Sequence, residues 1–360
     1  MHREVLIESK SPLCPARACV EQTAETVCFY LYFPLKQRPD DVRFVWICNR
    51  KPAPEHIGEE SRFGSDPPMM PLSGLTHPVG GMELDAQKLR IVWFETGDGA
   101  ALLEGKELIA VVPPWSGPKG FHGYSRFARG KQLLAWEMDE EAERNLYKRT
   151  MKGYFLWQSH ADGSYFDKLL QYCTEKYDAF FDAPHTGCYP ADDGEFPPRT
   201  VVEGRRRRAV YGITAGMRRF VMPGTEMHIR DFQKHCRTEF GFACEDACSD
   251  VKAQAYACLA AVTKAVFRDM TYFAHGNTKT WEGIPGFYAI LFLNAREAKL
   301  GCPDMGVGYG DFCPINLLWA VPVTKVEYLF TVENGVESLM MRAEFPETVH
   351  IFDGKPKFYV

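Results

Sequence analysis

His235, Cys236, Cys244 and Cys248 gather thiol and imidazole groups within fourteen residues of the second half of the chain. These are zinc ligand types, but their spacing is not the paired Cys-x2-Cys of common zinc sites, so the expectation is no metal and no cofactor. The thiols are read instead as small buried hydrophobes, reduced and inert. Cys313 with His275 could make a thiol nucleophile and its base, which sets the alternative reading of a hydrolase-type enzyme. A chain with 12 cysteines and 10 histidines yields such pairs by chance. Around Ser116 the sequence offers Trp115-Ser-Gly after two prolines, which is not the Gly-x-Ser-x-Gly of a nucleophile elbow. Glu95, Asp98 and Glu104 could be paired carboxylates, yet they flank a turn where charge normally serves solubility, and no acid or base role follows. Gly97-Asp98-Gly99 and Gly306-Val-Gly-Tyr-Gly310 match neither the dinucleotide fingerprint nor the phosphate loop, and read as turns. Arg205-Arg-Arg-Arg208 could meet phosphate or an acidic partner, but in an acidic chain a solvated strand edge is the favoured reading.

His275-Gly-Asn-Thr-Lys-Thr-Trp281 is different in kind. It is a polar loop ending in tryptophan, placed between the best helix of the sequence and a buried strand, and such loops make binding rims. His275, Asn277, Thr278 and Trp281 are therefore the candidate partner-binding residues. The structural alternative has Trp281 filling a core edge and Asn277 capping a turn.

The elements that must position this loop can be read from periodicity. Glu25 to Phe33 and Arg43 to Cys48 are dense in aromatic and β-branched residues and read as strands. Lys51 to Gly81 turns to Pro, Gly and Ser and reads as a long irregular excursion. Lys88 to Glu95 and Glu107 to Val112 form a strand, turn, strand unit. Helices are expected over Asp139 to Lys152 and over Ser164 to Asp182, where Phe166, Leu169, Leu170, Cys173 and Tyr177 recur at helical spacing. A β-run covers Arg199 to Phe220. Asp250 to Met270 carries Val251, Ala255, Leu259, Val262 and Val266 on one face behind a Ser249 cap. Phe287 to Leu293 and Asn316 to Val323 read as central strands, and Thr324 with Glu327 forms a capping box that opens a helix.

The expected fold is mixed α/β (α+β), with two packed domains, each a mixed sheet flanked by helices. A chain of 360 residues with 46% hydrophobic content can fill two cores. The Pro-, Gly- and Asp-rich stretch 184–198 sets the boundary, giving a β-rich domain over 1–183 that ends in a long helix and an α/β domain over 199–360. The net charge of -5 and pI near 6.1 argue against nucleic acid and anionic membrane as partners. The start lacks a secretion signal, and no run of about 18 apolar residues could span a bilayer, so the expected location is the cytoplasm.

The stretch from Val266-Phe267 to Gly276-Asn-Thr-Lys-Thr-Trp281 resembles the Suppressor of fused family, in which a helix leads to a Gly-Asp-His type loop ending in Trp. The likeness continues through Phe287-Tyr-Ala-Ile-Leu-Phe-Leu293 and Ile315-Asn-Leu-Leu-Trp-Ala-Val-Pro-Val-Thr-Lys-Val-Glu-Tyr328. Val92-Trp-Phe-Glu-Thr-Gly-Asp-Gly-Ala-Ala-Leu-Leu-Glu104 and Pro113-Pro-Trp-Ser-Gly117 are similar to the N-terminal region of long bacterial members. The resemblance implies a non-catalytic protein-binding module, whose animal relatives hold a short extended peptide of the Gli transcription factors, an interaction of the strand-addition kind. The aspartate of the animal branch falls here on Asn277 and its helix tyrosine on Ala265, so Gli-type binding does not carry over. Bacterial members have been proposed to be immunity proteins that neutralise secreted toxins. The resemblance thus implies a protein partner, a toxin domain among them, engaged through an extended segment.

Overall fold

The computed structural model describes residues 3–35, 38–57, 66–117, 120–161, 163–308 and 311–360. Within these the chain divides into two compact units, Met1–Ala161 and Asp162–Val360. The division therefore falls before the helix Tyr165–Phe181, which the sequence reading assigns to the first half. The reason is packing: Cys173, Tyr177, Phe180 and Phe181 of that helix are buried with Val202, Tyr211 and Ile213 of the second unit. Its apolar stripe outweighs the Pro/Gly density of 184–198 as a marker of where one core ends.

The first unit holds two antiparallel-dominated sheets. One runs β1 (Glu4–Lys10), β2 (Arg17–Gln22), β3 (Thr26–Leu35) and β4 (Arg38–Asn49), in that order. The other runs β5 (Leu89–Trp93), β6 (Ala100–Glu104), β7 (Glu107–Val112), β8 (Tyr124–Ser125) and β9 (Trp136–Glu137). The stretch 51–81 holds no strand among its described residues; 58–65 lie outside them. Helix α1 (Glu140–Ser159) starts on Asp139, whose carboxylate accepts from Ala142 N, and packs on the second sheet. A Cβ on Gly153 would lie 2.3 Å from Trp93 O, so only glycine lets the helix come this close. Trp157 Nε1 donates to the carbonyls of Trp93 and Phe94.

This helix also corrects the reading of the carboxylates. Glu95 and Asp98 are buried, at 8% and 1% exposure, rather than solvating a turn. Glu95 lies 3.3 Å from Arg149 and 3.6 Å from Lys152 of α1. Burial raises its pKa, but the two cations outweigh burial and hold it below the usual carboxylate range. This is a buried structural ion pair, not an acid/base pair.

The second unit is built on one mixed sheet, ordered β10 (Gly187–Pro190), β11 (Thr200–Arg206), β12 (Ala209–Ala215), β13 (Thr238–Glu245), β16 (Asn316–Val323), β15 (Ala289–Asn294), β14 (Thr278–Thr280). The short β17 (Ile351–Phe352) also pairs with β13, in parallel. The two central strands, β13 and β16, are parallel and every residue of β16 is buried. Such strands read as continuous apolar runs because helices cover both faces. One face meets α2 (Tyr165–Phe181), α4 (Lys325–Asn334) and α5 (Val336–Met340), where Tyr211, Leu291, Leu317, Trp319 and Val321 lie. The other meets α3 (Lys252–Arg268): a Cβ on Gly212, next to Tyr211, would sit 2.2 Å from the Tyr256 ring. Adjacent strand residues point to opposite faces, so Tyr211 and Gly212 separate the two layers.

The capping box of Thr324 and Glu327 is present at the start of α4. Ser249 does not cap α3; it lies in a 3-10 turn over Asp246–Val251, and Val251 takes the cap position without a side-chain bond. The arginine run forms the β11–β12 hairpin, with Arg207 at φ 57, Arg205 bonded to Asp246 and Arg206 3.8 Å from Asp182.

Candidate functional site

The loop 275–281 opens onto the end of the large sheet. Gly276, at φ 82, donates its N–H to Phe292 O at 2.8 Å, and Phe292 N donates to Asn277 O at 2.9 Å, a bulge that starts the pairing of β14 with β15. A Cβ on Gly276 would lie 2.8 Å from Val336 Cγ1 of α5. The register runs Thr278 to Leu291, Lys279 to Ile290 and Thr280 to Ala289, closed by Trp281 N to Tyr288 O at 3.0 Å.

Bonds at 277/292 and 281/288 set the parity of this antiparallel pair. Hydrogen-bonded pairs alternate with non-bonded ones, so Lys279 bonds to β15 while the N–H and C=O groups of Thr278 and Thr280 point away from the sheet. Among the described residues nothing pairs with those four groups. Thr280 is exposed and Thr278 half-buried. This is an open strand edge with a two-residue hydrogen-bonding repeat.

The other predicted residues serve mainly to build that edge. Asn277 Oδ1 accepts from Ala274 N at 2.8 Å, which is the turn cap. His275 Nδ1 accepts from Asn294 N at 3.1 Å, so the ring proton sits on Nε2, which lies 3.4 Å from Glu337 of α5. The imidazole thus ties the loop to β15 and to α5. Trp281 is half-buried; its indole folds over its own turn, where a Cβ on Gly283 would lie 2.4 Å from Nε1. That Nε1 is buried without a hydrogen-bond partner among the described residues. Thr280 is the residue that sequence reasoning passed over. Its signal was Thr-Lys-Thr, a short β-branched alternation after a glycine.

The alternative chemistry is dispersed. Cys313 is buried with Cys236, Val221 and Phe232 at the entry to β13 and β16, and no contact joins it to His275 among the described residues. Cys244 lies at the far end of β13, beside Cys248. Burial pushes the Cys236 thiol up to about 12 and the Cys244 thiol up to about 11. Thiols so shifted are poor nucleophiles at neutral pH. All 12 cysteines are unpaired, and among the described residues no group of three or more His, Cys, Asp or Glu is arranged to hold a metal ion. No described helix is long and apolar enough to cross a membrane.

Residues 200–355 match the family model of Suppressor of fused protein (SUFU). The match spans β11 to β17, and with them the loop 275–281 and the β14 edge. The resemblance seen in the sequence therefore extends across nearly the whole large sheet. Suppressor of fused proteins are generally a non-enzymatic, protein-interaction family, and the match supports a Suppressor of fused-like module over these residues. No curated protein matches the chain.

Proposed function

We propose that this protein binds a partner protein by adding an extended segment of the partner to the open edge of β14, beside the loop 275–281. The observation that carries this reading is the pair of outward-facing peptide groups at Thr278 and Thr280. Strand addition takes its affinity from such main-chain groups and its specificity from the side chains around them. Thr278 contributes to the contact directly; His275 and Asn277 hold the loop in place, and Trp281 closes the end of the strand. We propose further that the partner is a toxin domain, neutralised in the cytoplasm of the cell that makes this protein. The likeness of the first half to long bacterial Suppressor of fused proteins supports that choice.

Proline at position 280 tests the contact. It removes an N–H that points away from the sheet and leaves every bond to β15 intact. Wild-type protein, Thr280→Pro and Cys188→Pro, the last at the opposite edge, are used to capture partners from the native host. The expected result is one protein retained by the wild type and by Cys188→Pro and lost by Thr280→Pro. If Thr280→Pro melts normally and retains the same protein in full, the edge is not where the partner binds.

A further inference from the structure

Helix α4 (Lys325–Asn334) turns Glu327 and Thr331 inward, and Tyr328 and Phe330 pack against the core of the large sheet. Its other face is apolar as well. Val326, Leu329 and Val332 are 60%, 47% and 62% exposed. At about 100° per residue they lie side by side around Leu329, with Lys325 and Glu333 on the same face. A helix that is apolar all round is one covered on both sides.

The outward face is symmetric about Leu329. Val326 stands three residues before it and Val332 three after; Lys325 stands four before and Glu333 four after. The two charges oppose the dipole of their own helix. Lys325 holds the first helical position, where backbone N–H groups carry positive potential, and Glu333 lies in the last turn, where carbonyls carry negative potential. Among the described residues neither forms an ion pair, and Lys325 Nζ lies 5.8 Å over the Tyr288 ring.

We infer that α4 is a self-association face, packing antiparallel on α4 of a second copy about a two-fold axis at Leu329. That operation carries the first turn of one helix to the last turn of the other. Lys325 of each copy then meets Glu333 of the other, and the valines of both close around the two leucines. Each charge gains the opposite charge and the favourable helix end that its own chain denies it. Such an isologous contact closes at two copies. A ten-residue helix spans only about 15 Å, whereas a stable dimer buries about 800 Å² on each partner, so flanking surface must contribute. Lys357 and Phe358 donate their N–H groups to Glu327 at 3.0 and 2.9 Å, and the Arg342 guanidinium stands 5.7 Å over the Phe330 ring. These contacts set the C-terminal residues and the end of α5 beside α4, where Tyr359 and Met341 are exposed. The inference does not rest on strand addition at β14.

Sedimentation equilibrium of the purified full chain, with no other protein present, tests it. The wild type should rise from 40.9 kDa towards twice that mass as its concentration increases. Lys325→Glu and Glu333→Lys each bring like charges together at both ends, and each should weaken the dimer by about tenfold or more. Both substitutions suit the dipole of their own helix, so neither should lower the melting temperature of the monomer. Combining them in one chain, or mixing the two single variants, restores opposite charges at both ends and should restore the dimer. A wild type that stays at 40.9 kDa at every concentration overturns the inference. So does a dimer that the single reversals leave intact, or one that the combined variant fails to recover. If a monomeric wild type captures a host protein that Leu329→Asp loses, the face belongs to that protein instead of a second copy.

Discussion

The large sheet ends differently on its two sides. At the β10 edge the bond from Ala191 N to Arg199 O sets the register, so Cys188 and Pro190 face outward, and Pro190 has no N–H to offer. At the β14 edge Thr278 and Thr280 face outward with both donors and acceptors intact. Proline is a common way to blunt an edge against unwanted pairing. One edge of this sheet is thus protected and the other is left able to pair, although both are short. Openness at an edge is a matter of which peptide groups face out, not of strand length.

The centre of the sheet supports both edges, so the largest effect expected is from breaking it. A Cβ on Gly241 would lie 2.4 Å from Trp319 Cζ3, and Trp319 is fixed by a bond from its Nε1 to Gly301 O and by the ring of His350 at 5.1 Å. Gly241→Ala should cost about 1–3 kcal/mol of stability, read by chemical denaturation, and should weaken both edges alike. A loss confined to partner binding would mean that the edges do not depend on the centre.

Gly276→Ala acts on the β14 edge alone. Left-handed backbone costs an alanine about 1–2 kcal/mol, and the contact with Val336 adds to that. Hydrogen exchange should speed up in β14 and leave β10 unchanged. Exchange that rises equally at both ends would erase the distinction drawn between them.

Proline substitution separates the edges most cleanly. Thr280→Pro should weaken partner binding by about tenfold or more, a change of about 1.4 kcal/mol, while its stability changes by less than about 1 kcal/mol. Cys188→Pro should leave affinity unchanged. Equal losses from the two would assign binding to neither edge.

The smallest effect lies in the pH dependence of the strands between the edges. Burial pushes the Glu239 carboxyl of β13 up to about 7, against the pull of its bonds from the Thr214 hydroxyl and the N–H groups of Arg218 and Gly216. A raised carboxyl favours the folded state fully below its unfolded value near 4.5, and this contribution is lost as pH rises to about 7. Burial pulls His350 down from 6.5 to about 4. A depressed imidazole favours the folded state above 6.5, and this is lost as pH falls towards 4. Between about pH 4.5 and 6.5 the two slopes oppose each other, so the wild type should show little pH dependence there from this pair. In Glu239→Gln, stability should fall on acidification through that window; in His350→Gln it should rise. Parallel profiles for all three proteins would remove both groups from the account.

Much of the second unit was legible from pattern. Asn316 to Val323 emerged as a strand with the bounds later found, because eight consecutive buried positions leave a continuous apolar run. Thr324 and Glu327 announced their helix because a capping box is local chemistry. Besides the short strands β10, β14 and β17, pattern missed β13, Thr238–Glu245, although it is central. Its Glu239 and Gly241 break the apolar run, one to accept bonds from Thr214, Gly216 and Arg218, the other to admit the Trp319 ring. Those residues make sense only beside their partners, which lie 25 and 78 positions away in the case of Thr214 and Trp319.

By itself the sequence determined that there are two α/β cores, that a polar loop precedes a buried strand, and that this stretch resembles Suppressor of fused. These are properties of composition, short-range periodicity and local caps, which depend on neighbours in the chain. Tertiary structure decided which peptide groups of the loop are spent and which are left over. Asn277 and His275 were spent on Ala274 and Asn294, while Thr278 and Thr280 were turned outward by a bulge at Gly276. Main-chain hydrogen bonding follows strand register, and register is set by pairing across the sheet, where a shift of one residue would exchange every inward group for an outward one.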